Sequence, residues 1–242
     1  MPDTEMSLGG HLKELRKRAM VCAAALVGGV IAAFIFRDYI LDALRHAGDD
    51  PKLYFTTLTG GTEAVLRVVL YGGLVAAIPV IVYQAVMFLS PALGKTHKRY
   101  LYTLLPVMGL AFAAGASFAY FIVVPPVVEF LLKFGADAGF EPIPSADSYI
   151  SVVVSLIFWM GVSFELPFVM YFLSLIGITT PRAYSGFRRA WIVIAVVAGA
   201  VITPTFDPIN QGLVAGPFIV LYEIGILLSR FAWRGKQQPA AT

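Results

Sequence analysis

The sequence predicts an all-α, polytopic membrane protein: six transmembrane helices with a concave face, in one membrane domain over residues 1–242. Three observations predict it. Mean hydropathy is +0.78 and only 14% of residues are charged, values outside the range of water-soluble domains. Apolar runs recur at 19–36, 64–89, 101–124, 150–176, 190–204 and 212–229. Loop charge alternates between them. Thirteen of the eighteen Lys/Arg fall in 1–18, 90–100, 177–189 and 230–242, and four in 37–63, 125–149 and 205–211. The positive-inside rule then places both termini on the cytoplasmic side, with an even number of spans.

Residues 1–18 form a basic head. Leu8, Leu12, Leu15 and Ala19 recur at helical spacing, with Lys13, Arg16, Lys17 and Arg18 elsewhere around the wheel. This pattern predicts a cytoplasmic amphipathic helix on the membrane surface that runs into the first span. Glu14 is one acid among four bases. By itself it reads as an i,i+4 partner of Arg18. The first apolar run leads into Phe36–Arg37 without a small-residue cleavage site, so no cleavable leader is expected.

The outer loops 37–63 and 125–149 mix turn residues with apolar ones. Tyr54, Phe55, Phe130 and Phe134 are out of place in a solvated linker and suggest short helices packed as a cap. Gly28-Gly29 and Gly72-Gly73 suit close helix–helix approach. Arg67, near the outer end of the second span, can snorkel to the outer interface. Pro79, Pro106, Pro167 and Pro217 lie inside spans, and this is the source of the expected curvature and concave face. Pro125-Pro126 and Pro204 are expected to end the third and fifth spans.

The fourth span, VVVSLIFWMGVSFELPFVMYFLSLI (152–176), is the one around which the chain is organised. It carries Glu165 near its middle, followed by Pro167. An acid at half depth costs about 3 kcal/mol or more on insertion scales. Two readings stay open: a protonated Glu bonded to a neighbouring helix, or a polar contact inside a groove for a partner helix or moving substrate. The fifth and sixth runs are short. About 14 residues at 1.5 Å each reach about 21 Å, against about 30 Å of hydrocarbon. In the turn between them, Asp207, Asn210 and Gln211 read as caps of the sixth helix. Glu223 can pair with Arg230 or a loop base.

Several function classes are excluded. There is no GxSxG, HExxH or Walker-type loop and no Asp/His cluster, so no enzyme is expected. A single cysteine, Cys22, and three scattered histidines, His11, His46 and His97, leave no disulfide, cofactor or metal site. The basic residues lie in short loops between spans, which fits topology and lipid contact rather than nucleic-acid binding. A proton-coupled small-solute secondary transporter using Glu165 remains as the alternative reading, although no internal repeat supports it.

Five segments carry a more specific resemblance. HLKELRKR (11–18), PVIVYQAVMFLSPALGKTHKRYL (79–101), FELPFVMYFL (164–173), FRRAWIVIAVVAGAVITPTFDPINQ (187–211) and LYEIGILLSRF (221–231) resemble, in order, the TatC family, the receptor subunit of the twin-arginine protein translocase. The resemblance implies a glove-like six-helix receptor and scaffold in the cytoplasmic (inner) membrane. It implies binding of S-R-R-x-F-L-K signals on folded precursors, assembly in multiple copies with the single-span subunits TatA and possibly TatB, and transport driven by the proton-motive force. It assigns signal-peptide binding to Glu14, Arg16 and His97. Partner-helix and groove roles go to Glu165, Gln84, Thr203, Asp207 and Gln211, and hinges to Pro79 and Pro167. A carboxylate suits the first role, because guanidinium groups favour fork-shaped acceptors. One departure is visible: His97 stands in PALGKTHKR where the family commonly has a second acid. That implies signal binding with a pH dependence near the histidine pKa.

Overall fold

The structure is a computed structural model that describes residues 8–48, 50–89, 98–137, 139, 143–203 and 207–237. Its elements are α1 (Leu8–Ile35), α2 (Arg37–His46), α3 (Gly60–Leu89), α4 (Lys98–Phe118), a π-helical segment (Ala119–Val123), α5 (Val124–Asp137), α6 (Ala146–Ile176), α7 (Pro181–Ile202) and α8 (Pro208–Gln237). Among the described residues six helices are long and apolar enough to cross a membrane. An even number of crossings brings both chain ends to one side of the bundle, here called the terminal side.

The sixfold pattern of the sequence is realised, with changes at the helix ends. Residues 8–18 of the basic head and the first span form one uninterrupted helix of 28 residues. Leu12 and Leu15 stay exposed along it. The fifth and sixth helices are 22 and 30 residues long, well beyond their short apolar runs. The reason is local. α7 starts with Pro181 in its first turn and Thr180 as N-cap, its hydroxyl accepting from the Ala183 N–H at 3.2 Å. The helix therefore begins in polar sequence, nine residues before the oily run.

Pro125-Pro126 does not end the third span. The five-residue π segment precedes it, and the Val124 N–H bonds the Ala119 carbonyl five residues back. The wider turn relieves the clash between a proline ring and the carbonyl four residues earlier, so the chain continues directly into α5. Pro79, Pro106, Pro167 and Pro217 likewise sit inside continuous helices. Pro204 lies outside the described residues; α7 stops at Ile202.

α6 is the axis of the packing. It contacts α2, α3, α4, α5, α7 and α8. Of its span, 44% is buried within the chain, against 11% for α1 and for α7, which therefore stand at the flanks. Ile150, Leu156 and Met160 are among its fully buried side chains. Cutting one back to Ala leaves a cavity worth about 2–5 kcal/mol. The helix ends at Gly177, whose φ of 85° suits glycine, and the N–H groups of Gly177 and Ile178 bond back to Ser174 and Leu173.

At the flank, α1 lies against α3 through small residues. A side chain at Gly73 would collide with the Val30 backbone, and one at Gly29 would come within 3.2 Å of the Gly73 carbonyl carbon. Gly28, grouped with these by sequence, faces open space.

The expected cap is present on the side opposite the termini. It is formed by α2, α5 and a bridge in which Tyr54 N–H bonds Pro144 O and Ala146 N–H bonds Tyr54 O. Its packed residues are Leu44, Ala47, Val127, Val128 and Tyr149, rather than the aromatics that suggested it. Tyr54, Phe55 and Phe134 are exposed, and Phe130 stacks on Phe134. Two tyrosines from the bundle pin the end of α2. Tyr149 donates to the Leu44 carbonyl at 2.9 Å, and Tyr120 to the Ala43 carbonyl at 2.9 Å.

Candidate functional site

The proposed site residues fall into three groups at different depths. The first is on the terminal side. Glu14 and Arg18 are one helical turn apart on α1, and α3 runs alongside because of the close approach at Gly29 and Gly73. That contact brings Gln84, 66 residues further along the chain, to the same place. Arg18 donates from Nε to Glu14 Oε1 at 3.1 Å and from Nη2 to the same oxygen. Its Nη1 donates to Gln84 Oε1 at 3.2 Å. The side chains of Arg18 and Glu14 are 18% and 24% exposed. They open into a pocket of about 470 Å³ lined by Lys13, Glu14, Lys17, Arg18, Val21, Tyr83 and Gln84.

Gln84, grouped by the resemblance with the partner-helix and groove residues, lines the Glu14 pocket. Arg16 is exposed and does not line that pocket. His97 lies outside the described residues. The pairing of Glu14 with Arg18 was readable from their i,i+4 spacing. The contributions of Tyr83 and Gln84 were not, because only the packing of α1 on α3 decides which face of α3 meets Glu14.

The second group is Glu165, 7% exposed on α6. It is close to the backbone of Phe112 on α4, next to the point where a Cβ on Gly161 would meet the Phe112 ring. Among the described residues neither carboxyl oxygen has a hydrogen-bond partner. An unpartnered polar group at this depth is costly and marks a place where a further polar group can be received. Pro167, two residues on, is buried where α6 meets α8, and Gly225 would meet its Cα at 3.3 Å if it carried a Cβ.

The third group joins α7 to α8 at the far end. Asp207 caps α8, its carboxylate accepting from the Asn210 N–H at 2.9 Å. Thr203 is buried and its hydroxyl donates to the Gly199 carbonyl at 2.7 Å. Gln211 does not cap; its amide reaches across to the Val196 carbonyl on α7 at 2.8 Å. Asn210, also expected as a cap, is buried, and among the described residues neither amide atom has a partner. Glu223 pairs with Arg188 of α7 at 2.7 Å, a loop-side base rather than Arg230. Arg67 reaches Ser151 on α6 rather than snorkelling freely.

On the cap, outside the spans, His46 carries a displaced imidazole pKa. Its Nδ1 is 2.8 Å from the Asp42 carbonyl oxygen and its Nε2 is 3.4 Å from the Asp50 carboxylate. The backbone hydrogen bond and, next, the Asp50 charge raise the pKa above its usual 6.5. Among the described residues no group of three or more His, Cys, Asp or Glu is placed to hold a metal ion.

Six helices long and apolar enough to cross a membrane, among the described residues, define a multi-pass membrane protein. The comparisons with known proteins narrow this. The chain belongs to the Sec-independent protein translocase protein (TatC) family, which it matches over residues 10–217. It is 39% identical to the Sec-independent protein translocase protein TatC of Aquifex aeolicus over 238 residues, covering 96% of this chain and 98% of that protein. It is 32% identical to TatCy of Bacillus subtilis, covering 100% and 95%. A crystal structure of the twin-arginine translocase receptor TatC superposes with a TM-score of 0.81 at 38% identity, covering 92% of this chain and 99% of that one. The family's role is therefore in protein transport, as a component of the translocase.

Proposed function

We propose that this chain is the signal-peptide receptor and core scaffold of a twin-arginine translocase, and that Glu14 receives the paired arginines of the signal. One observation carries the reading. The Glu14 pocket already seats a guanidinium group, with a carboxylate on α1 and an amide oxygen on α3 as acceptors. That is the chemistry a twin-arginine signal requires: fixed, partly desolvated acceptors that match the planar donor fork. In this reading the termini and the Glu14 pocket face the cytoplasm across the inner membrane, as the loop charges favour. We assign His97 to signal binding as well, on the resemblance of 79–101 to the family.

The remaining groups have assembly roles. Glu165 receives a polar group of a partner helix at mid-depth. The α7–α8 end, with Thr203, Asp207 and Gln211, docks the single-span subunits TatA and, where present, TatB. Pro79 and Pro167 act as hinges within α3 and α6, which continue through them. The chain itself has no catalytic role. Folded precursors move through the multi-copy complex, driven by the proton-motive force. Family membership weighs against the small-solute carrier.

The test is direct. Binding of a labelled Ser-Arg-Arg-x-Phe-Leu-Lys peptide to the full chain in detergent is measured for the wild type and for Glu14→Gln. Removing one charged partner of a guanidinium costs about 1.5–3 kcal/mol, or about 10- to 150-fold in Kd. Unchanged affinity in Glu14→Gln refutes the assignment.

A further inference from the structure

We propose that Arg18 is a resident occupant of the Glu14 site, an internal arginine that an incoming signal must displace. The inference rests on the reading of Glu14 as the signal site and adds a threshold to it. Arg18 is not held as a simple helix-surface pair. Two of its N–H groups go to one oxygen of Glu14 and a third goes to Gln84 on another helix. Both members of the ion pair are mostly withdrawn from solvent, so screening weakens the contact less than it would a surface pair. The guanidinium is held the way a bound arginine would be held.

The consequence is a demand for two arginines. A segment with one arginine that displaces Arg18 exchanges one guanidinium for another and gains little. Displacement frees acceptors on two helices together, Glu14 on α1 and Gln84 on α3. Two adjacent guanidinium groups can fill both. Lys13 and Lys17 line the same pocket, and their cationic field raises the threshold for every incoming cation.

Competition by an internal group has a quantitative signature. It weakens every ligand of the site by the same factor. It therefore raises the affinity needed for binding without changing the ratio between ligands. From an i,i+4 pair reinforced by a charge-assisted bond, that factor is about tenfold. Lysine at position 18 keeps the charge and a pair with Glu14 but cannot make all three bonds, so it should release about threefold.

The experiment measures Kd of the full chain in detergent for a twin-arginine signal peptide and its twin-lysine counterpart. The proteins are wild type, Arg18→Lys, Arg18→Gln and Glu14→Gln, each checked by its thermal unfolding midpoint. Displacement predicts that Arg18→Gln tightens both peptides about tenfold and Arg18→Lys both about threefold. Tightening in Arg18→Gln alone would reflect lost net charge and overturns the proposal. Weaker or unchanged binding in Arg18→Lys overturns it too, since Arg18 would then be orienting Glu14 or idle. Unequal shifts for the two peptides mean that Arg18 contacts the peptide itself, which also overturns it. Should Arg18→Gln fail to fold, Arg18→Lys decides alone. If Glu14→Gln leaves both affinities unchanged, the site reading has failed. If it abolishes binding while Arg18→Lys does not tighten it, the site stands and the displacement falls.

Discussion

Gly73→Ala tests how the terminal-side pocket is assembled. A Cβ at position 73 would lie 2.8 Å from both the Cα and the N of Val30. These are backbone atoms, so no rotamer change relieves the contact; α1 and α3 must separate by about 0.6 Å or more to restore ordinary van der Waals distance. Overpacking of this kind costs about 1–3 kcal/mol, partly offset by the better helix propensity of alanine, worth about 1 kcal/mol. The displacement is not confined to its origin. Gln84 is eleven residues further along α3, about 16 Å at 1.5 Å per residue. Its bond to Arg18 is already 3.2 Å, so a small separation of the helices takes it beyond hydrogen-bonding range. Gly28→Ala is the internal control, since nothing lies within 4 Å of its Cβ. Thermal unfolding in detergent should show Gly73→Ala less stable than wild type and Gly28→Ala equal to it or better. Equal midpoints for the two variants would falsify the packing argument, because they differ only in what the added methyl meets.

Other expectations follow from single contacts. Tyr149→Phe removes the hydroxyl that holds the end of α2; it should cost about 1–3 kcal/mol locally and speed protease cutting within 37–50, with no change if the cap is held by packing alone. For His46, the raised pKa means that its stabilisation of the α2 turn is complete below about pH 6.5 and is lost as pH rises through the folded-state value. An NMR titration should place its midpoint above 6.5, and His46→Gln should abolish the pH dependence of cutting in the same segment. His97→Glu should remove the dependence of signal affinity on pH between about 6 and 8; an unchanged profile means that His97 takes no part in signal binding. Asp207→Ala removes the α8 cap at a cost of about 1 kcal/mol, read as faster amide exchange at residues 209–211.

The sequence by itself determined the span count, the sided distribution of charge and the identity of the odd residues. These are one-dimensional properties: a run of apolar residues can satisfy its backbone in lipid only as a helix, and a carboxyl among oily neighbours is conspicuous wherever the helix packs. It also paired Glu14 with Arg18, since helical periodicity fixes which residues share a face. The helix ends were less determined, because caps and the π turn at 119–123 let helices begin in polar sequence and pass Pro125-Pro126. Only the tertiary structure decided which helices are neighbours. The rotation of α3 about its axis, set by where Gly73 lets α1 approach, delivered Gln84 to Arg18 rather than to Glu165. The same kind of choice left Glu165 without a hydrogen-bond partner among the described residues, put Asn210 inside rather than at a cap, and turned Tyr54, Phe55 and Phe134 outward from the cap they had suggested. Each of these depends on the facing of two helices distant in sequence, and a run of uniformly apolar residues does not encode that rotation.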